Sequence, residues 1–301
     1  MSKVLISGAD SFTGRYLAAT LHQAGHEVHG LLREPIAGGI TGVHALHVAD
    51  LADTAGLAAV ARAVQPDKVA HLAAISFVAH GDVAAIYATN VVGTRNLLEA
   101  LANSKAPLQS VLLASSANVY GNSVGGVLGE ATPPAPANDY AVSKLAMEYV
   151  ARLYADRLPI VLSRPFNYTG VGQAESFLIP KIVSHVRRRA PLIELGNLHV
   201  ARDFSDVRTV VQLYQRLLCT PTAVGQTFNV CSGKAWTLND VLDMARKISG
   251  HDFEVRVNPA FVRHNEVKTL LGSRTKLDAA VGVVPEIALQ DTLRWMLEQP
   301  A

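Results

Sequence analysis

Lys3-Val4-Leu5-Ile6-Ser7-Gly8-Ala9-Asp10-Ser11-Phe12-Thr13-Gly14 decides the fold of this 301-residue chain. Its first five residues form an apolar run of strand length, and a glycine-flanked turn then leads into a helical pattern. Glycine at 8 and 14 lets backbone come close to a pyrophosphate, while the first turn of the helix offers N–H donors and a favourable dipole. Ser11 stands where the strict fingerprint has its middle glycine, so the turn alone also fits an unrelated strand-to-helix junction.

The rest of the chain settles the meaning of this turn. Strands are predicted over Lys3 to Ser7, Glu27 to Leu32, Ala45 to Val48, Lys68 to Leu72, Ser110 to Ser115 and Ile160 to Arg164, with crossover helices in most of the gaps between them. That alternation is the βαβ rhythm of a doubly wound parallel sheet. Gly25 reads as the close of the first helix, and the Pro66-Asp67 turn precedes the fourth strand. After Asn167 the rhythm breaks, and Pro180, Pro191, Pro221, Pro259 and Pro285 punctuate shorter elements. Thr227-Phe228-Asn229-Val230 reads as a late strand returning to the first sheet. The expected fold is therefore α/β and Rossmann-like, with a smaller, interleaved C-terminal substrate-binding lobe. A nucleotide-binding part spans 1–166, with returning segments near 199–232, and the substrate lobe spans mainly 167–301. The stretch from Val124 to Ala137, rich in proline and glycine, reads as a loop able to cover a site.

Composition excludes several classes. There are 27 basic and 25 acidic side chains, a formal charge of +2 that gives no electrostatic case for nucleic acid. Arg187-Arg188-Arg189 reads as the solvated end of a helix, with a role in attracting an anionic substrate as the alternative. Cys219 and Cys231 lack metal-site or CxxC spacing and read as reduced thiols. No apolar run approaches the roughly 18 residues of a membrane span, and no signal-peptide pattern precedes the first strand. A cytoplasmic protein without membrane partners is the expectation, and no metal ligands are assigned.

Chemistry enters with Ser116, Tyr140 and Lys144. Ser116 ends the apolar run Val111-Leu112-Leu113-Ala114-Ser115, which places its hydroxyl at the carboxyl end of a strand, where open α/β sheets hold ligands. The four-residue step from Tyr140 to Lys144 puts both on one helix face, so the ammonium is expected to bias the phenol toward phenolate. Carbonyl reduction needs a hydride donor, an acid for the new alkoxide and a donor that polarises the carbonyl, and these residues supply the last two. Arg33, beyond the second strand, suits a 2′-phosphate and favours NADP(H); Glu34 beside it keeps NAD(H) open. Asp50-Leu51 is placed to meet an adenine, or Asp50 caps the next helix. His71, flanked by apolar residues on a strand, reads as a satisfied core histidine.

Taken in order, these motifs resemble the extended short-chain dehydrogenase/reductases that act on nucleotide sugars. The resemblance runs through His71-Leu72-Ala73-Ala74, Asn90-Val91-Val92-Gly93-Thr94, Ser115 to Gly121, the Tyr140 to Lys144 step, Arg164-Pro165-Phe166-Asn167, Arg202-Asp203-Phe204 and Glu266-Val267. It implies that Ser116, Tyr140 and Lys144 are catalytic. It further implies that Gly8, Ser11, Phe12, Gly14, Arg33, Asp50, Leu51, Leu72, Ala73, Ala74, Asn90, Tyr140 and Lys144 meet the cofactor. Ser76, Ser116, Asn118, Asn167, Arg202, Arg263 and Glu266 would meet a nucleotide sugar, the arginines through its diphosphate. A homodimer through a four-helix contact near Asn90 and Tyr140 is also implied.

Within the family, 4,6-dehydratases resemble one another in carrying a carboxylic acid two places after the catalytic serine or alongside it. This chain has Asn118 there, which cannot accept a proton at neutral pH. The sequence otherwise looks most like the branch holding GDP-mannose 4,6-dehydratase and its partner reductase, notably at Ser76-Phe77-Val78 and Asn265-Glu266-Val267. The expectation is reduction of the C4 keto group of GDP-4-keto-6-deoxy-D-mannose to GDP-D-rhamnose. A 4-epimerase with tightly held NAD, a 4,6-dehydratase, and a cofactor-sensing binder without turnover are the alternatives.

Overall fold

The structure, a computed structural model, describes residues 1–76, 81–121, 126–262 and 267–299. Five short apolar runs become strands β1 (Lys3–Ser7), β2 (Glu27–Leu32), β3 (Ala45–Val48), β4 (Lys68–His71) and β5 (Ser110–Ala114). Ile160–Pro165 and Thr227–Val230 complete a seven-stranded, all-parallel sheet. From one edge its order is Thr227–Val230, Ile160–Pro165, β5, β4, β1, β2, β3. Its inner strands β1, β4 and β5 are buried on both faces, which is why they read as continuous apolar runs rather than alternating ones.

Helices cover both faces. On one, α1 (Phe12–Gln23) and the helix Val207–Cys219 bury Leu17, Leu21, Val210, Tyr214 and Leu217 against the sheet. On the other, the helices Thr54–Val64, Thr94–Ala102 and Asp139–Arg152 bury Leu57, Leu97, Leu101, Met147 and Ala151. The helix Val207–Cys219 and the strand Thr227–Val230 are the returning pieces of the first part, joined back across the interruption of the second lobe. Gly25, at φ +81°, closes α1.

β1 lies between β2 and β4, so the chain switches direction across the sheet at this point. A crevice opens at the carboxyl ends of the strands there, the usual seat of a ligand in this architecture. Gly8 follows β1 with φ +71°, and a Cβ placed on it would lie 2.9 Å from the backbone of Ala73, beyond β4. Glycine is required at that crossing for both conformation and space.

The second lobe packs the helices Leu178–Arg187, Leu238–Ser249 and Leu289–Glu298 around Ile182, Val241, Leu242 and Leu293. Its strand Ala201–Asp206 pairs with Asn167–Thr169, Thr269–Gly272 and Ala235–Thr237. Part of the proline- and glycine-rich stretch expected to be loop is instead a short strand, Val127–Leu128, paired with Thr269–Gly272. Arg187–Arg189 ends the Leu178–Arg187 helix, where Arg188 pairs with Glu175 at 2.8 Å. Cys219 and Cys231 are free thiols. Among the described residues, no helix is long and apolar enough to cross a membrane.

Candidate active site

β5 ends at Ala114 and delivers Ser115 and Ser116 to the crevice. Ser116 is extended (φ −160°, ψ 146°) and caps the short turn Ala117–Tyr120. Its Oγ accepts from the backbone N and from the side-chain Nδ2 of Asn118, both at 3.1 Å. A hydroxyl has two acceptor positions and one proton. Asn118 occupies both acceptors, so the Ser116 proton is left to donate elsewhere, and the Tyr140 phenol is its neighbour.

Tyr140 opens the helix Asp139–Arg152, whose N-cap Asn138 accepts from the Ala141 N–H at 2.9 Å. Lys144 stands one turn on, as the spacing predicts, and both side chains are buried. The Lys144 Nζ donates to the Ala114 carbonyl at 2.8 Å, which leaves two ammonium donors for a ligand. Burial pulls the Lys144 ammonium down to about 8, with the Glu148 carboxylate acting in the opposite sense. Burial also pushes the Tyr140 phenol up to about 12, against the lowering effect of the Ser116 hydroxyl. The expected drift toward phenolate is therefore not the state of the ligand-free site. Desolvation outweighs the Ser116 hydroxyl, and Tyr140 carries its proton at neutral pH.

His71, at the end of β4, is a core residue as read. Its Nδ1 lies 2.6 Å from Ser7 Oγ and its Nε2 2.8 Å from Thr94 Oγ1. Burial, then the Lys144 charge, pull it down to about 3, so it is neutral.

Ser116, Asn118, Tyr140 and Lys144 stand on the wall of a cavity of about 710 Å³. Of the residues expected to meet a cofactor, Ser11, Phe12, Leu72, Ala74, Tyr140 and Lys144 are on its wall. Gly8 and Gly14 shape the loop from behind: a Cβ on Gly14 would fall 2.2 Å from the Gly8 carbonyl oxygen. Ser11 caps α1 by accepting from Gly14 N at 3.0 Å, so the helix start and its free N–H groups open on the cavity. A glycine turn, a helix N-terminus and a lysine with two uncommitted donors fit a nicotinamide dinucleotide.

The other cofactor expectations lie off the cavity wall. Asn90 is buried in a π-type turn, Ala88–Gly93, and its amide clasps the Ile75 backbone at 2.9 and 3.0 Å and Ser143 Oγ at 3.0 Å. Through these bonds it shapes the loop after β4. Ala73 packs behind Gly8 in the same loop. Arg33 is exposed beside β2 and pairs with Glu34 at 3.3 Å. Asp50 accepts from Ala52 N at 2.7 Å, and the cap of the next helix is Asp53, which accepts from Gly56 N at 2.9 Å. The capping alternative for Asp50 is thus corrected by three residues. Leu51 packs where a Cβ on Gly93 would sit.

Of the substrate-facing expectations, Ser76, Ser116, Asn118, Asn167 and Arg202 share the cavity wall. Asn167 donates to the Asp203 carbonyl at 3.4 Å, and Arg202 donates to the Ala201 carbonyl at 2.9 Å. Arg263 and Glu266 lie outside the described residues, as do Phe77 and Val78. Sequence reading missed Tyr168, which reaches the nucleotide loop from the second lobe. Its hydroxyl is 2.8 Å from Thr13 Oγ1, and its ring stacks on Phe12 with centroids 6.1 Å apart. The Arg164 to Asn167 motif ended one residue short of it.

Over residues 5–296 the chain matches the family described as GDP-mannose 4,6 dehydratase. It belongs to that family, within the extended short-chain dehydrogenase/reductases. It is 32% identical over 280 residues to a GDP-6-deoxy-D-talose 4-dehydrogenase of Aggregatibacter actinomycetemcomitans, covering 93% of this chain and 91% of the relative. A GDP-6-deoxy-D-mannose reductase of Pseudomonas aeruginosa is 33% identical over 306 residues, covering 98% and 96%. Among solved structures, a Burkholderia cenocepacia protein described provisionally as an epimerase is 51% identical with a TM-score of 0.93, over 99% of this chain and 97% of that one. The Pseudomonas aeruginosa protein named RMD, solved with NADPH, is 30% identical with a TM-score of 0.85, over 99% and 98%. With its serine, tyrosine and lysine intact, the protein is a nicotinamide-dependent oxidoreductase of this family.

Proposed function

We propose that the protein reduces the C4 keto group of a GDP-4-keto-6-deoxyhexose, converting GDP-4-keto-6-deoxy-D-mannose to GDP-D-rhamnose with NADP(H) favoured over NAD(H). One observation carries the reading: among the described residues, no carboxylate stands on the cavity wall. Removing a proton from a sugar carbon and expelling a hydroxyl calls for an acid or base there. Asn118 occupies the place that would supply one, and spends its N–H groups on Ser116. The names of the two relatives, each a GDP-6-deoxyhexose oxidoreductase, support the substrate class. NADPH in the RMD structure and Arg33 at the rim of β2 support the cofactor preference.

A bound nicotinamide dinucleotide supplies the hydride. Lys144 offers its two free donors to ribose hydroxyls. Ser116 donates to the C4 oxygen as charge grows there. Tyr140 then gives its proton to that oxygen, so the carbonyl gains hydrogen at carbon and at oxygen. A phenol pushed up by burial holds its proton at neutral pH, which suits reduction rather than an oxidation that begins with phenolate.

The test couples the protein to a separate dehydratase acting on GDP-mannose and follows NADPH. Consumption above background, with a GDP-6-deoxyhexose as product, is expected; none sinks the reading. The 51% identical neighbour favours a second reading, a nucleotide-sugar 4-epimerase. That enzyme keeps its dinucleotide through each turnover, so stoichiometric NAD in purified protein and no net NADPH use would establish it.

A homodimer accompanies the proposal. Val142, Tyr149 and Leu153 are exposed on and just beyond the Asp139–Arg152 helix, and Val83 and Val92 on the preceding helical segment. Two copies joined on this face bury them in a four-helix contact. A cytoplasmic setting, where both thiols stay reduced, goes with the same reading.

A further inference from the structure

Beneath Tyr140 and Lys144 lies a set of polar side chains that the proposed chemistry does not touch. Glu148, one turn beyond Lys144, is fully buried. Arg164, on the neighbouring strand, holds its carboxylate in a two-pronged grip, Nε to Oε1 at 2.8 Å and Nη2 to Oε2 at 2.7 Å. Ser115, the residue before Ser116, donates to Glu148 Oε1 at 2.6 Å. Arg164 also donates to the Tyr120 hydroxyl at 3.1 Å, and Tyr120 donates to Asn229 Oδ1 at 2.7 Å.

A buried ion pair of this kind is weak evidence for stability, because apolar side chains of the same volume serve a core as well or better. Its placement is more telling. Glu148 joins three parts of the catalytic wall: the helix that carries Tyr140 and Lys144, the serine next to Ser116, and the adjoining strand.

We propose that Glu148 is a positioning residue: its carboxylate, gripped by Arg164 one helical turn from Lys144, offsets the burial of the Lys144 ammonium and ties the Ser115-Ser116 turn to the catalytic helix. The proposal rests on the C4-reductase reading for its catalytic consequence, since a neutral Lys144 is a poorer anchor for ribose hydroxyls. The groups around Lys144 are few. Tyr140 and Glu148 share its helix, the Ala114 carbonyl and Ser116 come from β5, His71 comes from β4, and Arg164 acts from behind Glu148. His71 and Tyr140 are neutral at pH 7, so among these groups Glu148 is the one negative charge that counters desolvation.

The experiment titrates Lys144 in the cofactor-free, full-length protein, by NMR of lysines labelled at Cε, with the resonance assigned through Lys144→Arg. In Glu148→Gln the Lys144 midpoint is expected to fall by about one pH unit or more, a tenfold change in proton affinity. The alkaline limb of activity should move with it. Because Glu148→Gln leaves Arg164 unpaired in the core, Glu148→Gln with Arg164→Met removes both charges at similar volume, and a downward move is again expected, smaller because the more distant Arg164 charge is lost too. A folded variant whose Lys144 titrates as in the unaltered protein overturns the proposal. This readout needs no substrate, so a wild-type protein inactive on the 4-keto sugar would sink the reductase reading and leave the titration to stand by itself.

Discussion

The two walls of the cavity are built differently. The wall formed by β5 and the Tyr140 helix comes from two short pieces of chain, residues 114–121 and 137–144, carried by the central sheet. The opposite wall is gathered from segments around Asn167, Phe177, Arg202 and Leu270. It meets the first part through a few specific ties: Thr13 with Tyr168 at 2.8 Å, the Tyr16 hydroxyl donating to the Val171 carbonyl at 2.8 Å, and Arg208, which grips Asp206 and lies 3.8 Å over the Trp295 ring. On the proposed reading, the atoms that must hold fixed angles to a reacting carbon, those of Ser116, Tyr140 and Lys144, sit on the rigid wall. Asn167 and Arg202, two of the residues expected to meet the nucleotide sugar, sit on the assembled one.

If the rigid wall holds the chemistry, removing its acid has the largest effect. Tyr140→Phe is expected to lower kcat by roughly 10²- to 10⁴-fold, the range for a positioned general acid and here at its upper end, while the melting temperature stays nearly unchanged. Retention of even a tenth of the wild-type rate would show that the proton comes from elsewhere. Asn118→Asp is next. An aspartate side chain offers no N–H to Ser116 Oγ and instead attracts its proton, turning the hydroxyl away from the substrate. A fall of about 10²-fold in kcat with little change in KM is expected, similar to losing one oxyanion donor. An unchanged kcat would break the link drawn between Asn118 and Ser116.

His71 sharpens the comparison through stability, because it underlies the rigid wall alone. Its folded-state pKa, near 3, is below the ordinary histidine value of about 6.5. Below pH 6.5 the unfolded chain takes up a proton that the native state refuses. Stability is therefore full above that pH and is lost as pH falls toward 3, by at most about 1.4 kcal/mol per pH unit from this group. Urea titrations at stepped pH should show that slope, and His71→Gln should flatten part of it. A slope identical in both proteins would mean that other groups govern acid sensitivity.

The same division explains what could be read from sequence. β1, β2, β3 and the strand Thr227–Val230 coincide with their predicted residues, because each is a short run of strand-forming residues bounded by turns. Ser116, Tyr140 and Lys144 were legible for a similar reason: a strand end and one helical turn fix their relation. The π-type turn that makes Asn90 a backbone clasp left no such mark, since its apolar pattern is that of an ordinary helix. Glu148 left one that went unused, an acid four residues beyond Lys144 in the stretch that continues the catalytic helix. Tyr168 was out of reach, because its value lies in a contact with Thr13, 155 residues away in sequence. Arg33 and Asp50 were placed by strand ends alone, and the structure sets both at the rim of the sheet, away from the cavity wall.

The smallest expected effect probes the tie between the walls. Tyr168→Phe keeps the ring that stacks on Phe12 and removes only the hydroxyl bonded to Thr13. One hydrogen bond is worth about 1 kcal/mol net, and the Thr13 hydroxyl left behind can turn toward the cavity and its water. Stability should therefore drop by no more than that amount. Thr13 lies in the first turn of α1, beside the N–H groups offered to a pyrophosphate, so the loss should appear as a KM for dinucleotide raised about two- to fivefold with kcat nearly intact. If kcat falls with KM unchanged, Tyr168 acts on the reacting carbon and the assembled wall takes part in the chemistry. If neither changes while Tyr140→Phe is inactive, the walls are joined by packing alone, and the Thr13 contact is incidental to how the nucleotide loop is held.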